Sequence, residues 1–230
     1  MPPRSTKPSL SSSTDQTNPS SARQMAEGRS SIEQLRKSAA GCQACDLWKT
    51  ATQTVFGEGP SRARIMMVGE QPGDQEDLAG HPFVGPAGRL LHQALEEAGI
   101  DRADVYVTNV VKHFKWAASE RGRRRIHKKP RGNEIEACRP WLDSELRVIK
   151  PEVLVCLGAT AAQALFGRQF RVSTQRRQWV DSSLVPHATA TVHPSSILRA
   201  PDEEARHAQM KEFVADLKMV AKLLKQLSRR

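Results

Sequence analysis

Four stretches of the chain carry unbroken or nearly unbroken apolar character over a few residues: RIMMVGE (64–70), DVYVTNVVK (104–112), VLVCLGA (153–159) and ATATVHP (188–194). Each is rich in β-branched or other apolar side chains and is bounded by turn or cap residues, which predicts short, buried strands. Helical patterns alternate with them. PAGRLLHQALEEAG (86–99) puts Leu90, Leu91, Ala94, Leu95 and Ala98 on one face and stops at Gly99. NEIEACRPWLDSELRVIK (133–150) opens with Asn133 and Glu136 at capping-box spacing, and Pro140 should kink it. TAAQALFG (160–167) is a short helix, and the segment 201–230 runs from Pro201 and three acids to a basic end, matching the helix dipole. Strand and helix in alternation predict an α/β fold, a three-layer α/β/α sandwich around a mostly parallel four-stranded sheet.

The 230 residues, 38% of them hydrophobic, suffice for one domain of ordinary size. Residues 1–30 read as a Ser/Thr/Pro-rich disordered tail ahead of a domain at 31–230. No run is long and apolar enough for a membrane span or a secretion signal, so a cytoplasmic, monomeric protein is expected. The formal charge of +10 is concentrated: residues 121–131 hold seven basic side chains and no acid. Such a run is either a patch that meets phosphates or a solvated charged loop.

In parallel sheets, ligands bind beyond the carboxyl ends of the strands. There the sequence puts Glu70, Gln71 and Gly73, then Asn109, then His193-Pro194-Ser195-Ser196. A carboxylate, an amide and an imidazole at one edge point to a site. Cys42 and Cys45 form a C-x-x-C pair, and Cys138 and Cys156 follow far downstream. Four thiolates suit a tetrahedral zinc or a [4Fe–4S] cluster, and the spacing does not choose between them. Four unrelated thiols, with Cys156 simply in the core, is the third possibility.

GEQPGDQEDLAGHPFVGPAGRLL (69–91), TNVVKHFK (108–115) and VHPSSILR (192–199) together resemble the motifs of the uracil-DNA glycosylase superfamily in its iron–sulfur family-four branch. RRRIH (123–127) is similar to the hallmark loop of the UdgX group within that branch. The resemblance spans roughly residues 31–225 and implies excision of uracil from DNA, single-stranded DNA included, with free uracil as product. It implies a [4Fe–4S] cluster held by Cys42, Cys45, Cys138 and Cys156. It also implies that Phe83 stacks on the uracil ring and that Asn109 pairs with its N3–H and O4, a pattern cytosine cannot mimic. His193 would donate to uracil O2 as negative charge develops there. Gln71, Gly73, Asp74 and Ser195 would complete the substrate site.

In the UdgX group the loop histidine attacks C1′ and stays joined to the abasic sugar, and here that residue is His127. Arg123, Arg124, Arg125 and Lys128 would hold DNA phosphates and disfavour a protonated ring, while Glu70 would orient His127 or accept its proton. Gln71 agrees with that group, whereas Arg123 stands where the group usually has Lys. Two other readings stay open: a multiple-turnover glycosylase whose loop only clamps DNA, and a non-catalytic iron–sulfur protein that binds DNA.

Overall fold

The computed structural model describes residues 17–229 apart from 121 and 123. The chain opens with helices α1 (Pro19–Ala26) and α2 (Ile32–Ala39), then strand β1 (Ile65–Gly69), helices α3 (Asp74–Ala79) and α4 (Pro86–Ala98), and strand β2 (Val105–Asn109). A small hairpin, β3 (Trp116–Ala118) and β4 (Arg125–His127), precedes α5 (Gly132–Ile149), β5 (Val153–Leu157), α6 (Ala159–Phe166) and α7 (Val172–Gln175). Strand β6 (His187–Thr191), α8 (Pro194–Ile197) and α9 (Glu203–Leu227) complete it.

The four long strands pair in parallel in the order β2-β1-β5-β6. Their side chains alternate between two cores. Met66, Val68, Tyr106, Leu154 and Cys156 face the layer of α1, α2, α5 and α6. Ile65, Met67, Val105, Val107, Val153 and Val155 pack with α4 and α9. A strand buried on both faces has no polar side, which is why these segments read as apolar runs. Each sheet edge is partly covered by loop backbone, Glu58 bridging to Val107 and Val180 to Ala188.

Helix ends follow local chemistry. Pro86 begins α4, and Gly99, at φ 71°, ends it in the left-handed conformation that glycine adopts without strain. Asp202 caps α9 by accepting from the Ala205 amide. Helix α5 departs from expectation at its start. It begins at Gly132 and not at an Asn133–Glu136 box, with Glu134 Oε2 accepting from the Arg131 amide at 2.6 Å. Glu134 also receives Lys115 Nζ at 2.8 Å, so a tertiary ion pair selects it as the capping residue. The helix runs on through Pro140, held on both sides of it by buried Ala137, Cys138, Trp141 and Leu142.

The disordered-tail boundary at residue 30 needs correction. Helix α1 lies within it, and its Ala22 and Ala26 are buried against α5. The Asn18 amide donates to Ala44 O at 2.6 Å, and Ser38 Oγ donates to Met25 O at 2.7 Å. Two small apolar residues one helical turn apart suffice to dock an otherwise polar helix. The rest of the expected tail, residues 1–16, lies outside the described residues.

Candidate active site

The chain order places β1 and β5 side by side although they are distant in sequence, so connections leave in opposite directions from the crevice between their carboxyl ends. A cleft of about 790 Å³ opens there, lined among others by Glu70, Gln71, Gly73, Phe83, Asn109, His127, Thr160, His193 and Ser195. Gly69 ends β1 at its floor. A Cβ at that position would collide with Asn109 Oδ1 and the Phe83 ring, so glycine lets three strand ends close on one another. Asn109 is buried at 3% exposure, yet its side-chain amide makes no hydrogen bond among the described residues. An amide without a protein partner that lines a cleft can read a ligand's edge.

Phe83 reaches the cleft from the loop before α4, with a left-handed φ of 58°, a conformation that costs energy in a bulky residue. Two features hold it there. Glu76 accepts from the Gly73 amide with one oxygen (3.1 Å) and from the Gly85 amide with the other (2.8 Å), tying the two loops together. Gly88 allows the Phe83 carbonyl to lie against α4 where any side chain would clash. The role of Glu76 was not read from the sequence, though its distance of three residues from the Gly73 cap was a capping-box signal.

His193 has its proton assigned by its neighbours. The Ser195 amide donates to His193 Nδ1 at 3.2 Å, and Ser195 Oγ lies 2.8 Å from the same atom. A backbone amide can only donate, so Nδ1 is the acceptor and the neutral ring carries its hydrogen on Nε2. Burial, then the positive charge of Arg199 and of His127, lowers the pKa of the ring to about 4. His193 thus presents one N–H donor and stays uncharged at neutral pH. Ser195 braces the ring and also lines the cleft.

His127 stands on β4 at the cleft mouth, with its Nε2 3.3 Å from Glu70 Oε1 and half its side chain exposed. The hairpin that carries it was not legible as strands. Trp116 pairs with His127 and Ala118 with Arg125. Gln71 fixes its base: its amide donates to Lys115 O (3.2 Å) and Lys128 O (3.0 Å) and accepts from the Lys115 amide (3.1 Å). The Gln71 side chain therefore holds the hairpin, while the residue itself lines the cleft.

Arg125 also differs from expectation. Its guanidinium makes 2.5 Å ion pairs with both Asp74 and Asp77, donates to Thr52 Oγ1 and lies over the rings of Phe114 and Trp116. It is an inward pin, and Asp74 is its partner outside the cleft lining. Both were expected on the ligand side, Arg125 at DNA phosphates and Asp74 at the substrate. Their opposite charges and the burial of Asp77 draw them together. Arg124 and Lys128 remain exposed, with no side-chain partner among the described residues, as does Lys129 at the cleft. Arg123 lies outside the described residues. The His127 ring has the Glu70 carboxylate within 3.3 Å.

Comparison with known proteins decides the family. The model of the uracil DNA glycosylase superfamily matches residues 56–218. The chain belongs to the uracil-DNA glycosylase superfamily. The chain is 36% identical over 180 residues to the type-4 uracil-DNA glycosylase of Sulfurisphaera tokodaii, covering 75% of this chain and 78% of that one. It is 35% identical to that of Pyrobaculum aerophilum over 82% and 92% of the two chains, and 38% identical to that of Thermotoga maritima over 75% and 85%.

For this superfamily member the cysteines divide three and one. Cys42, Cys45 and Cys138 are buried and act on one another. Burial raises the Cys45 thiol to about 11, with Cys42 adding to the rise, and Cys138 is pushed up by burial and by both of these thiols. Their sulfurs also receive N–H groups, Trp141 Nε1 at 3.2 Å on Cys42 and the Lys112 amide at 3.2 Å on Cys138. Buried thiols with N–H···S donors have the chemistry of cluster ligands. Cys156 stands apart in the interior of β5, its thiol raised by burial alone. None of the other three thiols contributes to that rise, although all four line the same core.

His113 is buried next to Lys112, whose amide meets the Cys138 sulfur. Its Nε2 lies 2.9 Å from Thr54 Oγ1, which donates to Ala39 O. That carbonyl also accepts from the Cys42 amide. Among the described residues no compact group of three or more His, Cys, Asp and Glu side chains is set for a single metal ion. No helix among them is long and apolar enough to cross a membrane.

Proposed function

We propose that this protein excises uracil from DNA and ends its single turnover covalently joined through His127 to C1′ of the abasic sugar. The observation that carries the reading is the histidine at the cleft mouth, 3.3 Å from the Glu70 carboxylate and above a floor built from Asn109 and His193. The family relationship supports the substrate, since the relatives are named for uracil in DNA.

A base inside a duplex must be flipped before it can enter such a cleft, and a single strand gives it directly. Phe83 stacks on the uracil ring, and the free amide of Asn109 pairs with N3–H and O4. As the C1′–N1 bond breaks, its electron pair leaves on the base, where the Nε2–H of His193 meets the charge on O2. The sugar becomes cationic and Glu70 stabilises it. A ring nitrogen of His127 then forms the bond to C1′ that water would form in a hydrolytic enzyme, and Glu70 stabilises the resulting imidazolium. Arg124, Lys128 and Lys129 hold phosphates beside the cleft mouth.

The same reading gives the protein a [4Fe–4S] cluster with Cys42, Cys45 and Cys138 as three ligands and His113 in the fourth place, imidazole being a known cluster donor. The group supplies structure: it would join the 42–45 loop and α5 to the turn after Asn109. These residues fit it through their burial and their N–H···S bonds.

The test is an end-labelled, uracil-containing single strand incubated with protein and run on a denaturing gel after heating in detergent. A retarded band is expected, absent for His127→Ser and for a thymine strand. Free abasic DNA without the band would refute the covalent step. Untouched uracil from iron-replete protein would refute excision itself.

A further inference from the structure

Glu70 has two oxygens with different tasks. Oε1 faces His127 Nε2 at 3.3 Å. Oε2 accepts a short hydrogen bond from Thr160 Oγ1. Thr160 is the second residue of α6, buried at 7% exposure and lining the cleft, and it follows β5 directly through Gly158. The bond therefore spans the crevice between β1 and β5, the two strands whose ends the site straddles.

We propose that Thr160 is a positioning residue for the reaction: by donating to Oε2 it holds the Glu70 carboxylate in the one rotation that presents Oε1 to His127. This rests on the function proposed above and deepens it. Glu70 is one-fifth exposed, and among the described residues Thr160 alone donates a side-chain hydrogen bond to its Oε2. Without the hydroxyl, a carboxylate on a flexible stem has several rotamers, and only some face the hairpin. The backbone supports the same geometry. Gly158, at φ 91°, lets the His193 loop lie against the start of α6, because a Cβ there would press on His193 Cβ. Thr160 is thus fixed by the same junction that fixes the uracil-facing histidine. The preorganisation is electrostatic in purpose, since Glu70 must face charge that appears only during bond cleavage.

The experiment uses the full-length, iron-replete protein and a uracil-containing single strand in single-turnover format, reading uracil release and retarded band separately. Thr160→Val keeps the shape and removes the donor, and Thr160→Ser restores it. Loss of a hydrogen bond to a charged group predicts a roughly tenfold to hundredfold slower band formation for Thr160→Val. DNA affinity is expected to be unchanged and Thr160→Ser to recover most of the rate. In a Glu70→Ala background, Thr160→Val is expected to change the residual rate less than about twofold, as residues acting through one another do. A wild-type rate in Thr160→Val overturns the proposal. So does failure of Thr160→Ser to recover, which would mean that the methyl packing mattered and not the hydroxyl. Should wild type release uracil without a band, the covalent reading fails by itself, and the same comparison made on uracil release still decides the role of Thr160.

Discussion

Arg125→Lys separates two roles that the sequence alone could not. A phosphate contact needs positive charge, which lysine keeps, whereas an inward pin needs the guanidinium fork, which lysine lacks. The Asp77 side chain is fully buried and that of Arg125 is 20% exposed, so their charge-assisted bond contributes about 1.5–3 kcal/mol. The pair with half-exposed Asp74 adds about 0–1 kcal/mol. The two rings at 5.4 and 5.6 Å add about 0.5–1 kcal/mol each, without strict additivity. Arg125→Ala should therefore cost the pinned hairpin on the order of 3 kcal/mol, about a hundredfold in its population. Arg125→Lys reaches one carboxylate and should cost roughly half of that, about tenfold. The fold survives either change, because Asp77 still accepts from the Thr52 amide at 3.0 Å. The assay is the single-turnover rate of band formation, paired with fluorescence anisotropy for DNA affinity across salt concentrations and with amide exchange across 115–128. Slower bond formation and faster exchange at unchanged affinity and salt slope are expected. A Lys variant with the wild-type rate, beside an Ala variant whose salt slope falls by about one phosphate contact, would refute the pin.

The other expectations can be checked on the same preparations. His127→Ser should abolish the adduct while leaving slow uracil release by water, seen as alkali-labile DNA; an undiminished adduct removes His127 from the mechanism. Asn109→Ala should lower uracil excision at least tenfold and reduce discrimination against cytosine, because the base edge loses its partner; unchanged selectivity in competition assays sinks its role. Cys138→Ser and His113→Ala should lose iron and the brown colour, whereas Cys156→Ala should keep about four irons per chain; iron loss in Cys156→Ala alone would restore that residue to the ligand set. The His193 ring, with its pKa lowered to about 4, makes the folded state bind fewer protons than the unfolded chain between about pH 4 and 6.5. The stability it confers is full above that window and is lost as pH falls through it. Urea midpoints of wild type should accordingly decline more steeply with acidification than those of His193→Asn, and parallel curves would show that the ring does not titrate there.

The sheet was legible because each of its strands is buried on both faces and so leaves a continuous apolar run. Its chemistry was legible for a related reason. Glu70, Asn109 and His193 lie at or just past the carboxyl ends of such runs, and the carboxyl edge of a parallel sheet brings those positions together whatever their separation in sequence. The hairpin offered neither cue. Trp116–Ala118 and Arg125–His127 are three residues each, with no alternation to follow, and what sets their position is Gln71, from another segment. Helix α1 was hidden by composition, since two alanines do its docking among polar neighbours.

Counting residue types misled where geometry assigns the role. Four cysteines invite a four-cysteine site, whereas the proposed set takes His113 in place of Cys156, which lies inside β5 with a paired strand on both sides. The basic loop makes the same point about charge. A formal +1 on Arg125 looks like a cation offered to DNA until Asp74 and Asp77, some fifty residues upstream, are seen to occupy it. The loop then has two kinds of cation. Arg124, Lys128 and Lys129 face outward and are free to meet phosphate, while Arg125 faces inward and sets the place of the histidine two residues on. In the proposed function, holding DNA and aiming His127 fall to different side chains of one short run, and substitution can separate them: removing an outward cation should weaken DNA binding and its salt dependence, whereas removing Arg125 should slow bond formation on DNA that is already bound.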